Sequence, residues 1–171
     1  MNNRNGNNEI NIDVTLQPSD SGVRFHYQGA DDISRKHVKE NGDIDLREPD
    51  DLDPGPVHLR FRIGSPEVHL DGAARRPNFA AEESIWMAEY DRDSPVGPFR
   101  ERGFRGFLVL LRLQRPRFYV LRDSQSDELS LCLFNRDHDD KEYKYTLRIQ
   151  VSGEAGTRWL EDDPRIRNRP V

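Results

Sequence analysis

The chain has 171 residues, of which 34% are hydrophobic and 33% charged, with a formal net charge of -5. That length suits one domain with its own core, and the low apolar fraction fits strands with one face in water better than a helical bundle or a doubly wound sheet. The acidic total argues against nucleic-acid or anionic-membrane binding by the whole surface, no run approaches the roughly 18 apolar residues of a membrane span, and the single cysteine, Cys132, leaves no internal disulfide.

Residues 1 to 8 are Asn-rich, lack the apolar stretch of a secretory signal and are expected to be disordered, which makes a cytoplasmic location the default expectation. Ile10, Ile12, Val14 and Leu16 alternate with polar neighbours and predict a first strand, ended by Pro18. Val23, Phe25 and Tyr27 predict a second, joined to the first by the turn Ser19 to Gly22. Beyond Asp31, Asp32 is placed to cap a short helix over Ile33 to Glu40, but the apolar spacing is poor and a short strand or loop is the expectation up to Pro56.

Val57, Leu59, Phe61 and Ile63 alternate as a strong third strand, with Val68 and Leu70 as a short continuation. Ser84 to Ala88 reads as a strand in a stretch punctuated by Pro77, Pro95 and Pro98. Gly106 to Gln114 and Arg117 to Arg122 read as β segments interrupted by Pro116, which cannot donate to a central ladder. Glu128 to Asn135 is apolar on both faces and so predicts a central strand. The strictest alternation follows, with Tyr143, Tyr145, Leu147, Ile149 and Val151 on one face and Lys144, Thr146, Arg148 and Gln150 on the other.

Together these predict an all-β domain over residues 9–152, an antiparallel Greek-key sandwich of eight or nine short strands. Residues 153–171 look too rich in Pro and Arg to pair, and are expected to be a tail lying on the surface, anchored by Trp159 and Ile166.

Three loops carry possible chemistry. Cys132 at the end of a penultimate strand, His138 after it and His58 or His69 from earlier in the chain resemble the His2Cys copper site of cupredoxins, but no Met follows His138. A Cys within an apolar strand otherwise acts as a small hydrophobe. The same loop reads architecturally: Asp139, Tyr143 and Tyr145 resemble the D-x-x-x-Y-x-C corner of immunoglobulin-like domains, with Tyr145 in place of the Cys. Asp137, Asp139 and Asp140, with Asp91, Asp93, Asp123, Asp127 and Glu128 in other turns, also suggest calcium as in C2-like domains, although acidic turns commonly just solvate a hairpin.

Charge is distributed unevenly. Asp31 to Asp53 holds nine acids and four bases, whereas Arg100, Arg102, Arg105, Arg112, Arg115, Arg117 and Arg122 face only Glu101. The repeat in RERGFRGF resembles RGG-type RNA-contacting segments, while Phe104 and Phe107 can equally plug a sandwich edge and Gly103 and Gly106 mark a bulge or turn. The five histidines never take metalloprotease spacing, and no G-x-S-x-G elbow, phosphate loop or dinucleotide fingerprint occurs.

The ending Asp163-Pro164-Arg165-Ile166-Arg167-Asn168-Arg169-Pro170, after a closing Y-x-Y strand, resembles the tails of the DP-EP family of small bacterial β-sandwich proteins. That resemblance implies a sandwich fold and a bacterial origin, and no activity. The expectation is therefore a non-enzymatic sandwich without cofactor, acting by protein binding or head-to-tail self-association through Arg100, Arg102, Arg105, Arg112, Arg115 and Arg117 or through an exposed strand edge. A copper or calcium site built from Cys132, His138, His58, Asp137, Asp139 and Asp140 is the alternative, nucleic-acid contact through the Arg100 to Arg122 stripe the next, and no membrane partner is expected.

Overall fold

Residue alternation organises the molecule into two facing sheets. The computed structural model describes residues 8–20, 22–47, 52–90, 95–100, 103–121, 128–137, 139–154 and 156–170, apart from the side chains of 103 and 104. The first hairpin joins β1 (Glu9–Ser19) to β2 (Gly22–Gly29), and Gly22 takes the φ of +125° that its turn requires. A short helix α1 (Asp32–His37) follows, then β3 (Ile44–Asp45), β4 (Val57–Ile63), β5 (Val68–Leu70), β6 (Ala73–Asn78), a 3₁₀ turn at Ala81–Ser84 and β7 (Ile85–Glu89). A second helix, α2 (Gly103–Leu110), precedes β8 (Phe118–Val120), β9 (Ser130–Asn135), β10 (Glu142–Gly153), β11 (Gly156–Asp162) and β12 (Arg165–Arg167).

One sheet has the order β2-β1-β4-β9-β8, and the other runs β3-β12-β10-β6-β5, with β11 and β7 also paired to β10. The all-β sandwich is thus realised, with more strands than the eight or nine expected. Most pairs are antiparallel, but β1 runs parallel to β4 and β12 parallel to β3, so both sheets are mixed.

The core lies between the sheets. Ile10, Ile12 and Val14 of β1, Leu59 and Phe61 of β4, and Leu131 and Leu133 of β9 meet Tyr143, Tyr145, Leu147, Ile149 and Val151 of β10, all at most 1% exposed. Fully burying one such side chain contributes roughly 1.5–3 kcal/mol, which is why the period-2 pattern fixes which face of β10 turns inward.

Three expectations need correction. The segment after Gly153 is no surface tail: β11 pairs with β10 from Leu147 to Gly153, β12 pairs with both β10 and β3, and Ile166 is fully buried. Its arginines find acids on neighbouring strands, Arg167 and Arg165 on Glu142, so its composition does not prevent pairing. Asp32 to His37 is helical, because the carboxylate of Asp31 accepts from the amide of Ser34 at 2.8 Å and its hydroxyl at 2.9 Å, capping the first turn. Gly106 to Leu110, read as β, belongs to α2, since a short run apolar on all sides cannot be told from a strand by periodicity.

Candidate functional site

The corner expected from Asp139 and Tyr143 is a hydrogen-bonded knot. Tyr143 donates its hydroxyl to the Asp139 carboxylate at 2.6 Å, and Arg117 reaches that carboxylate at 2.7 Å and the Tyr143 oxygen at 2.8 Å. Asn168 donates to the other Asp139 oxygen and accepts from Asn135 at 2.8 Å. Burial alone would raise the Asp139 pKa, but the donors Tyr143, Asn168 and Arg117 outweigh it and hold the carboxyl below its ordinary value. Burial, then the Asp139 hydrogen bond, pushes the Tyr143 phenol far upward, so it acts as a neutral donor.

A second buried pair adjoins it. Asp137 accepts from the Arg169 backbone amide at 2.8 Å and from its guanidinium, which also donates to the carbonyls of Leu52, Asp53 and Gly55. Burial raises the Asp137 pKa, and Arg169 offsets part of that.

These contacts place most of the metal candidates. Asp137 and Asp139 already hold arginines, and Asp140 is exposed, its backbone amide donating to the Arg169 carbonyl. Cys132 is buried opposite Arg60 on the face that also carries His58 and Phe134, and burial pushes its thiol pKa up despite the neighbouring guanidinium. His69 stands near Glu67 at 3.9 Å. His138, Asp91, Asp93, Asp123 and Asp127 lie outside the described residues, and among those described no group of three His, Cys, Asp or Glu is placed to hold a metal ion.

The arginine stripe divides in the same way. Arg117 belongs to the knot, and Arg115 donates to the Tyr119 hydroxyl at 3.2 Å. Arg100, Arg112 and Arg115 are exposed, Arg105 is half-buried, and Arg102 and Arg122 lie outside the described residues. On the neighbouring sheet face, Arg60 pairs with Glu9 and Arg62 with Asp13, while Tyr119 and Phe134 stack on each other at 4.5 Å. That arrangement turns ring faces toward each other rather than toward a nucleobase.

What charge counting did not reveal is an apolar projection beside an apolar cleft. Among the described residues six large apolar side chains are exposed, and five of them, Val96, Phe107, Leu110, Leu111 and Leu113, fall in one segment. Leu110 is 78% exposed and Leu113 69%, and none of the described α2 side chains joins the buried core. The helix ends in a Schellman turn: the Leu113 amide donates to the Leu108 carbonyl, the Arg112 amide to the Val109 carbonyl, and Arg112 takes the left-handed φ of 59°. The sequence carries the signal, since FLVLLRL is the longest nearly unbroken apolar stretch, but such a run without clear periodicity predicts a strand as readily as a helix.

The cleft opens between β7 and β8, where the two sheets part, and encloses about 180 Å³. Its floor is Ile85, Met87, Phe118, Val120 and Leu133, and Phe99 closes one side, edge-on to Phe118 at 5.1 Å and to Tyr143 at 5.7 Å. Pro98 and Pro116, the residues from which the chain leaves toward α2 and returns, stand at the mouth, as does Glu82 of the 3₁₀ turn. Such a space accepts carbon and offers little to an ion: a cavity of roughly 150 Å³ lined by aliphatic and aromatic groups takes up a benzene-sized molecule. No protein-family model matches the chain, and no curated protein matches it.

Proposed function

We propose that this chain is a non-catalytic binding domain, that it acts by association with a protein surface, its own included, and that α2 with its terminal turn is the contact element. The observation that carries the reading is the run of Phe107, Leu110, Leu111 and Leu113 as exposed side chains along α2 and its terminal turn, in a molecule whose other large apolar side chains, Ile33 and Val96 excepted among the described residues, are covered. Clustered exposed apolar side chains mark interaction sites, whereas scattered ones do not. Arg112 and Arg115 border the cluster and add electrostatic steering toward an acidic partner.

The acidic block between residues 31 and 53 is a weak partner for those arginines. Asp31 caps α1, Asp43 accepts from the Arg165 amide, and Asp45 pairs with Arg47 and Arg167. The apolar component therefore leads and the charges assist. With the reading goes a cytoplasmic bacterial setting and an immunoglobulin-like relationship, for which the Asp139 to Tyr143 spacing speaks, although the Tyr143 hydroxyl donates to the Asp139 side chain rather than to backbone.

Light scattering and hydrogen exchange test it together. The purified protein is expected to associate with rising concentration, with amides of residues 107–113 gaining protection, and Leu110→Ser with Leu113→Ser to abolish both effects. A particle that stays monomeric and leaves those amides unprotected in the presence of cell extract would overturn the reading.

A further inference from the structure

We infer that the surface received by α2 is the cleft of a second copy of this chain, in a reciprocal two-fold dimer in which each copy's Leu110 and Leu113 enter the space between β7 and β8 of the other. The inference rests on the reading of α2 as the contact element and names its partner.

Projection and cleft are neighbours. The chain leaves for α2 at Pro98–Phe99 and returns at Pro116, all three residues lining the cleft, yet no described residue of α2 or of the turn to Leu113 lines it. Among the described residues nothing from α2 or its turn fills the cleft, while Phe107, Leu110, Leu111 and Leu113 remain 49–78% exposed. A surface carrying an apolar knob next to an apolar hole is self-complementary. Rotating a second copy about an axis between them places each knob over the other hole and closes the assembly at two.

The volume suits this occupant: about 180 Å³ exceeds the roughly 150 Å³ that holds a benzene-sized molecule, enough for branched aliphatic side chains entering from the mouth. Charge suits it as well. The exposed acid Glu82 stands at the cleft mouth on the 3₁₀ turn, while Glu83 beside it faces Arg148 of its own chain at 3.8 Å, and the exposed Arg112 and Arg115 flank the knob. Crossing copies brings arginines to glutamates on both sides of the axis, whereas stacking the two α2 segments directly on each other would oppose like charges.

Sedimentation equilibrium on the full chain tests the assignment. Wild type is expected to be a dimer with no larger species, and Leu110→Asp a monomer. Pro98→Trp, an exposed substitution that obstructs the mouth without disturbing the buried floor, is expected to weaken the dimer. Glu82→Arg, and separately Arg112→Glu, are each expected to raise the dimer dissociation constant roughly tenfold at low salt. The chain carrying both reversals is expected to recover wild-type affinity.

If Leu110→Asp abolishes association while the mouth and rim variants leave it intact, the cleft is not the receptor and only the reading of α2 survives. Open-ended growth with concentration overturns the two-fold arrangement. A protein that is monomeric alone but sediments with phosphatidylserine vesicles, dependent on Leu110, makes a lipid surface the occupant and overturns both readings.

Discussion

Arg169 is the residue whose loss the fold should tolerate least. Its guanidinium holds a fully buried Asp137 carboxylate and three backbone carbonyls from residues 52 to 55. Removing one partner of a buried pair strands the other, so Arg169→Ala is expected to cost about 3–5 kcal/mol in urea unfolding. Tyr145→Phe is a smaller, cleaner test. The Tyr145 hydroxyl donates to the buried carbonyl of Gly42 at 2.7 Å, and losing that donor should cost about 1–3 kcal/mol with no change in sheet content by circular dichroism.

Protonation acts at the same scale. The Arg47 hydrogen bond holds Asp45 down to about 2, and the donors around Asp139 lower it too despite its burial. A carboxyl with a folded pKa below its unfolded one stabilises the fold above the unfolded value and loses that contribution as pH falls toward the folded value. Denaturation midpoints are expected to drop from about pH 4 toward pH 2. Asp137 and Asp162, both raised chiefly by burial, act above that window, where their protonation as pH falls toward about 4 favours the fold. Asp139→Asn should flatten the acid slope; an unchanged slope would exclude Asp139 as a source.

Among the elements, β10 and α2 mark the limits of what sequence reveals. The apolar alternation from Tyr143 to Val151 could be read directly, because the core face of a strand imposes a period of two, although Thr146 and Arg148 on the opposite face are covered as well. The apolar run at Phe107 had no such determinant. Its backbone state depends on hydrogen bonds closed at the Schellman turn, with an arginine rather than glycine in the left-handed position. β11 and β12 were hidden for another reason: what seats the arginines that follow Pro164 in a sheet is a set of acids far along the chain, Glu142 and Asp43 among them. Similarly the charge of the stripe was legible, but the cleft beside it was not, since its walls come from residues between 82 and 133 that only folding unites.

That left-handed arginine also gives an element-level test. A non-glycine residue there costs about 1–2 kcal/mol, so Arg112→Gly should raise exchange protection of the α2 amides by roughly tenfold while removing a rim charge. Protection unchanged or reduced would mean that the turn sets no part of α2 stability.

Across the whole molecule, the two sheets close along lines that join distant parts of the chain. Tyr27 donates to Asp162 at 2.9 Å, β3 lies against β12, and Arg169 clasps the segment before β4. Small domains rich in such non-local pairing fold in milliseconds to seconds rather than microseconds, and refolding by stopped flow is expected in the slow range.

The clasp of Arg169 on residues 52 to 55 has a consequence for synthesis on the ribosome. A lock whose halves lie 114 to 117 positions apart cannot engage until the later half has emerged. Until Arg169 emerges the nascent sandwich therefore lacks this fastening, although the leucines around Leu110, made earlier, leave the ribosome before it. The interval in which those leucines are open to capture by chaperones, or by another nascent copy, before the sandwich is fastened lasts until Arg169 has emerged.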